Sequence, residues 1–380
     1  MAKFLVIHPN VDIYGGGERV CHHIIKTLVN HGQQVELLAF DFDIDYYNKI
    51  MGEKLPDEVT VNMLGNRKIV EAEPPLSVYK HRQNIINLLK KYKKTANYDY
   101  TFSTQTLSAF ETELFNTGKN FAYVHFPEIP YDYEHSKRSK QLYLLLYKKM
   151  LERHLNKLTL IFCNSKYTKE FTEKYWCKLG IPEPIVVYPP VEEPYWSNKP
   201  LSERTNRVVY IARFIPQKRH DILKQLSITY PQIEFVSIGL LRETEQDWFN
   251  DFSKNLPENY TLKLNISETE KISFLHDSTI YCHLMEGEHF GIAPMEALAS
   301  GCVPLVHNSG GMREFIPEEF RWNTIESLKE KILEFNNLNN QSFLNMKMKD
   351  LQETTHLLKP NNFEDTIWIN VSKLIHQYEN

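Results

Sequence analysis

The densest chemistry in this 380-residue chain lies in one stretch, Glu286-Gly287-Glu288-His289-Phe290-Gly291-Ile292-Ala293-Pro294-Met295-Glu296. It joins an apolar strand to a helix, so Glu288 falls in a loop and Glu296 on the helix that follows. A loop carboxylate can accept the protons of sugar hydroxyls, and a helical one can chelate the two hydroxyls of a ribose. Gly291 and Ile292, at the start of that helix, offer backbone N–H groups to a phosphate. Upstream, a buried strand ends in Arg213, and Lys218 follows at the start of a helix. Two fixed cations at a strand's carboxyl edge suit a diphosphate leaving group, with a solvated basic turn as the competing reading. Near the N-terminus, Gly15-Gly16-Gly17 leads into a helix that begins near Glu18. Glycines there let backbone approach a ligand closely, although the spacing is not GxGxxG and a tight turn explains it equally well.

A further motif, Asp41-Phe42-Asp43-Ile44-Asp45, ends a strand with an Asp-x-Asp pair. Metal-dependent transferases and phosphatases use such pairs. Here the aspartates read as a solvated strand end, because carboxylates at strand ends need no metal. Neither CxxC nor HExxH occurs, and no metal site is expected.

The elements that must position these residues are short apolar strands alternating with helical stretches, the pattern of a parallel sheet flanked by helices. Strands are expected at Phe4–His8, Gln34–Phe40, Tyr98–Phe102, Phe121–His125 and Leu158–Cys163, and again at Arg207–Ala212, Glu234–Ile238, Thr279–Leu284 and Cys302–Val306. The series starts twice. Between the two halves lies a Pro-rich stretch from Tyr188 to Pro200, which reads as an interdomain linker and places a boundary near residue 195. The domains are therefore 1–195 and 196–361, with an amphipathic terminal helix at 362–380 expected to pack back on the first.

With these pieces assembled, the chain resembles the retaining glycosyltransferases of family 4. The segment Glu288 to Glu296 matches that family's E-x7-E signature, Gly301-Cys302-Val303-Pro304 and Asn308-Ser309-Gly310-Gly311 fit the pattern after it, Arg213 and Lys218 match its diphosphate-binding pair, and Gly15 to Gly17 its glycine loop. The combination with His8-Pro9, Tyr123-Val124-His125, Asn164-Ser165 and Tyr188-Pro189-Pro190 is similar to GDP-mannose-dependent transferases that build lipid-linked glycans. The resemblance implies a GT-B fold, two Rossmann-like doubly wound parallel-sheet domains facing a cleft. It implies a metal-independent, retaining transfer of a hexose, with mannose from GDP-mannose as the first choice, to a hydroxyl of a lipid-linked or polymeric glycan. A UDP-sugar donor such as UDP-glucose or UDP-N-acetylglucosamine, and a non-catalytic nucleotide- or glycan-binding module, are the alternatives. By the same resemblance Glu296 binds the ribose, Arg213 and Lys218 the diphosphate, Glu288 the donor sugar's hydroxyls, and His289, Phe290, Gly291 and Ile292 line the donor site. His125, at a strand end, matches the histidine that faces the donor sugar; a satisfied buried histidine is the competing reading. No cofactor is implied beyond the nucleotide sugar itself, which is a substrate.

Composition sets the remaining limits. Charged residues are 24% and hydrophobic ones 42%, ordinary values for a folded protein. The longest apolar run, Leu142 to Tyr147, is too short to span a bilayer. Five widely spaced cysteines fit buried reduced thiols, and a cytoplasmic protein is expected. Net charge is −4 overall, yet residues 80–157 hold 14 Lys and Arg against 7 Asp and Glu. Within that region 80–94 and 136–157 read as basic amphipathic helices. They form either solvated faces or a peripheral contact with an anionic membrane on the cytoplasmic side. No nucleic-acid motif appears.

Overall fold

The strands of the first half form where buried apolar runs end in turn residues. A computed structural model describes the chain except for residues 72–76, 94–96, 111, 116, 156, 337–340 and 380. Its first-half strands are β1 (Lys3–Ile7), β2 (Gln34–Ala39), β3 (Thr60–Met63), β4 (Tyr100–Ser103), β5 (Asn120–Val124), β6 (Leu158–Cys163) and β7 (Ile185–Val186), joined by helices α1 (Gly16–Asn30), α2 (Ile44–Met51), α3 (Ser77–Lys93), α4 (Glu128–His135), α5 (Arg138–Leu155) and α6 (Lys166–Trp176). All strand pairings are parallel, in the order β3-β2-β1-β4-β5-β6-β7. Strands enclosed by helices on a parallel sheet should read as unbroken apolar runs, and Phe4 to Ile7, Phe121 to Val124 and Ile161 to Cys163 are fully buried. The α3 face carrying Ile85 and Leu89 packs on Leu5, Ile7, Leu38 and Phe40.

The second half repeats the plan with β8 (Thr205–Ile211), α7 (His220–Thr229), β9 (Glu234–Gly239), α8 (Gln246–Phe252), β10 (Tyr260–Leu264), α9 (Glu268–Asp277), β11 (Ser278–Cys282), α10 (Ile292–Ala299), β12 (Val303–His307), β13 (Arg321–Trp322), α11 (Ile325–Phe335) and α12 (Gln341–Thr354). Its sheet is also parallel, in the order β10-β9-β8-β11-β12-β13. Helix starts are set by local chemistry. Ser267 accepts from Glu270 N–H while Glu270 reaches back to Ser267 N–H, which satisfies two otherwise orphaned donors of α9.

A last helix, α13 (Pro360–Glu379), returns to the first unit. His23 of α1 meets Glu364 at 3.2 Å, and His31 stacks on Trp368 with ring centres 4.1 Å apart. The chain thus divides into Met1–Pro189 with Asn361–Asn380, and Pro190–Pro360. The second unit begins inside the Pro-rich stretch, earlier than the boundary near residue 195, because the segment from Val191 onward bonds to its own unit through Val191 N–H and the Leu358 carbonyl, 2.7 Å apart. Among the described residues no helix is long and apolar enough to cross a membrane.

In each sheet the first strand has neighbours whose connections run to opposite sides: β1 lies between β2 and β4, and β8 between β9 and β11. The carboxyl ends of parallel strands at such a reversal leave a crevice for ligands. The sequence-predicted residues fall at these two edges.

Candidate functional site

In the second unit the edge of β8 and β11 brings Lys218, His283 and Glu288 together. Lys218 Nζ lies 3.8 Å and His283 Nε2 3.3 Å from Glu288 Oε2. Burial works against a charge on Glu288, but His283, then Lys218 and His289, outweigh it and hold the carboxyl down at about 2. The group is therefore an anion throughout the neutral range. Its loop is clamped to the segment after β12: Gly311 N–H donates to the Glu288 carbonyl at 2.9 Å, and Gly287 N–H to Ser309 Oγ at 2.7 Å. Gly310 makes this clamp feasible. Its φ is +74°, and a Cβ there would stand 2.0 Å from the Glu288 carbonyl oxygen.

Arg213 is set by a buried relay. Tyr260 Oη and Ser237 Oγ are 2.7 Å apart, Ser237 Oγ and His220 Nδ1 3.1 Å, and His220 Nε2 donates to the Arg213 carbonyl at 3.1 Å. A carbonyl only accepts, so the proton sits on Nε2 and Nδ1 accepts from Ser237. Burial pushes His220 down to about 4, with Lys218 adding to the effect, which keeps the ring neutral. Gly239 also belongs to this support, because a Cβ on it would meet the Ala212 carbonyl oxygen at 1.8 Å.

Helix α10 starts at Ile292 with Gly291 as its N-cap at φ +87°. The first N–H groups of a helix have no acceptor within it, and the helix dipole favours an anion there. The Phe290 ring is 2% exposed and edge-on to Phe315, which leaves its backbone as the part placed toward the loop. Glu296 is also buried, its side chain 4% exposed, with Lys271 Nζ at 3.2 Å. Lys271 in turn meets Glu268 at 3.0 Å, and Glu268 accepts from Tyr195 Oη. The ribose candidate is thus an ion-paired carboxylate held by α9, not a solvated one.

In the first unit the edge of β1 and β4 is knit by His8. Its Nδ1 lies 2.7 Å from Thr104 Oγ1, and its Nε2 donates to Glu18 Oε1 at 3.1 Å. The other oxygen of Glu18 accepts from Gly15 N–H at 2.5 Å, which fastens the glycine loop at the start of α1. Burial opposes the charge on His8, yet Cys21 and then Glu18 raise it to about 10, while Glu18 is lowered by its contacts with His8. His125 lies beside Gly17: a Cβ on that glycine would be 3.5 Å from His125 Nε2. That nitrogen donates to the Thr104 carbonyl at 3.0 Å, fixing the tautomer. Gly16 opens α1 between the two other glycines. Asp43, by contrast, caps α2 by accepting from Tyr46 N–H at 3.0 Å, while Asp41 and Asp45 are exposed.

Residues 14–193 match the sequence profile of Glycosyltransferase Family 4, and residues 192–349 that of Glycosyl transferases group 1. The two profiles meet at the division between the units. The chain belongs to the retaining glycosyltransferases of family 4.

Among relatives of this family 4 transferase, the GDP-Man:Man(3)GlcNAc(2)-PP-Dol alpha-1,2-mannosyltransferase of Dictyostelium discoideum is 24% identical over 427 residues, covering 97% of this chain and 84% of that one. The enzyme of the same name from mouse is 33% identical over 171 residues, 40% of this chain and 34% of its own, so that match covers about a third of the mouse protein. Among solved structures, Anabaena HepE in complex with UDP and glucose gives a TM-score of 0.70 at 14% identity, covering 98% of this chain and all of the other. Sucrose-phosphate synthase from Thermosynechococcus elongatus gives 0.74 at 14% identity, covering 100% and 99%. At such identities the likeness concerns the fold, which is GT-B.

Sequence reasoning did not single out His283, Lys271 or the His220–Ser237–Tyr260 relay in the transferase. His283 had a usable signal as a lone polar residue near the end of an otherwise apolar strand, Thr279 to Leu284. The others become neighbours of the site only through tertiary packing.

Proposed function

We propose that this transferase moves mannose from GDP-mannose to a hydroxyl of a lipid-linked oligosaccharide, with retention at the anomeric carbon and without a divalent cation. The observation that carries the chemistry is the grouping of Lys218, Glu288 and the start of α10 at the switch point of the second unit. In this reading the bond between the anomeric carbon and the diphosphate oxygen breaks, and the acceptor oxygen bonds to the same face of that carbon. The acceptor's proton passes to the departing diphosphate. Charge grows on the leaving group, and fixed donors aimed at it supply most of the stabilisation. Arg213, Lys218 and the first N–H groups of α10, with Gly291 and Ile292, take that role. Glu288 accepts from hydroxyls of the donor sugar, Glu296 from the ribose, and His289 and the Phe290 backbone line the same loop. Gly15, Gly16, Gly17 and His125 are the first unit's own candidates for contact with sugar.

The donor assignment is supported by the names of the relatives, which specify GDP-mannose and a dolichyl diphosphate glycan. A UDP-sugar reading is favoured by the HepE complex with UDP and glucose. The test is nucleoside diphosphate release by the purified protein in EDTA across GDP-, UDP-, ADP- and dTDP-sugars, with and without crude lipid-linked glycan. The expected result is glycan-stimulated release of GDP from GDP-mannose. Preference for a UDP-sugar would replace the donor, and binding with no release from any donor would leave a binding module.

The same proposal includes peripheral contact with an anionic membrane, and the two basic helices differ in fitness for it. Helix α3 turns its apolar face into the core, which leaves Lys80, Lys90 and Lys91 as an ordinary solvated face. Helix α5 instead exposes Leu142 at 73% and Leu146 at 56%, one turn apart, beside exposed Lys140, Lys149 and Arg153. Apolar residues to bury and cations to meet lipid headgroups are what interfacial binding requires. Lys94 and Asn156, within the stretches 80–94 and 136–157, lie outside the described residues.

A further inference from the structure

We infer that His283 is the positioning residue of the donor site, holding the Glu288 carboxylate aimed and ionised for the sugar hydroxyls. This rests on the reading of Glu288 given above and deepens it. His283 is 4% exposed at the carboxyl end of β11, and its Nε2 lies 3.3 Å from Glu288 Oε2. The approach is off the line of a good hydrogen bond, and Nε2 has no other hydrogen-bond partner among the described residues. A buried ring nitrogen left in that condition costs free energy unless it serves the charge beside it.

The proton on that nitrogen follows from the other side of the ring. His283 Nδ1 lies 3.2 Å from Tyr281 Oη, and burial raises the Tyr281 phenol well above its ordinary range, so the hydroxyl keeps its proton and can donate to Nδ1. A neutral ring accepting at Nδ1 carries its hydrogen on Nε2, and a charged ring carries one there as well. The remaining tautomer would set a nitrogen lone pair against a carboxylate. Nε2–H therefore faces Glu288 in both favourable states.

The ring cannot swing away. Tyr210 packs at 6.0 Å and Tyr281 at 6.3 Å between ring centres. The titratable groups found against Glu288 among the described residues come from three elements. Lys218 comes from the turn after β8, His283 from β11, and His289 from the adjoining loop position, while Tyr210 and Tyr281 are buried phenols that stay neutral. Lys218 is the more distant partner, at 3.8 Å, and on this account it also serves the diphosphate. Once donor draws Lys218 toward phosphate, His283 is the partner that stays with Glu288. Lys218 Nζ and His283 Nε2 both approach Oε2, which leaves Oε1 to accept a sugar hydroxyl.

The test compares His283→Phe, His283→Gln and Glu288→Gln with the parent. It uses pH profiles of donor kcat/KM between about pH 3.5 and pH 9, with the donor that the panel selects. In the parent, Glu288 lies at about 2, so its ionisation adds no acid limb within that range. In His283→Phe the Glu288 carboxylate loses its nearest N–H donor and rises toward the ordinary ~4.3. Activity should fall about 10- to 100-fold, as for a charged group left without a polar partner, and a new acid limb should appear. His283→Gln keeps an N–H donor and should recover part of the rate. A purely structural role would lower the melting temperature of both variants without creating an acid limb. Folded His283→Phe with the parent's rate and profile would overturn the inference, as would loss of rate without the limb. A fully active Glu288→Gln would instead overturn the reading of Glu288 itself, whatever His283 does.

Discussion

Lys218→Ala and Glu288→Ala should each lower turnover by a factor of about 100 to 1,000 while leaving the protein folded. The first removes a cation assigned to the leaving diphosphate, the second the acceptor assigned to the donor sugar. Neither side chain supports the core, since Lys218 is 24% and Glu288 25% exposed, and the hydrogen bond that Tyr210 Oη donates to Lys218 uses only its backbone carbonyl. An interaction made in the transition state alone lowers kcat and kcat/KM together, whereas uniform binding raises KM and spares kcat. Steady-state kinetics with circular dichroism as the folding check separates these outcomes. Near-normal kcat in either variant would remove that residue from the chemistry.

The second large effect is expected from a residue that touches no substrate. Gly310→Ala demands of alanine a backbone, φ +74° and ψ −164°, that is essentially glycine's alone, at about 1–3 kcal/mol, and puts a methyl 2.0 Å from the Glu288 carbonyl oxygen. The loop must move, and displacement of a catalytic group by about 1 Å can cost about 100-fold in rate. Gly32→Ala is the matched control, because Gly32 also has a positive φ, +71°, but open space around it. The control should lose stability alone. Equal rates in the two alanine variants would show that the clamp on Glu288 does not set its position.

Much of this architecture is legible from sequence because parallel strands buried on both faces are nearly unbroken apolar runs. The strands carrying the site residues, β1, β5, β8 and β11, are of that kind. The edge strands β3 (Thr60–Met63) and β13 (Arg321–Trp322) and the polar β10 (Tyr260–Leu264) escape such a reading. They are short or half-exposed, and their pairing partner rather than their own pattern makes them strands. The glycine loop, Arg213, Lys218, Glu288 and Glu296 are legible because a carboxylate, cation or glycine cluster at a strand-to-helix junction has few structural reasons to be there. His283 and Lys271 are less plain, since one directly follows a buried strand and the other sits on an ordinary helix face. Their meaning comes from Glu288 and Glu296, which lie 3.3 and 3.2 Å away. Phe290 shows the opposite failure, a residue inside the motif whose side chain belongs to the core.

The most direct measurement of the central claim is transfer of labelled mannose from GDP-mannose to lipid-linked oligosaccharide in EDTA, with the anomeric configuration of the product read by NMR. The account predicts metal-free transfer and an α-linked product from the α-linked donor. A β-linked product, or transfer that appears only when manganese or magnesium is added, would contradict it.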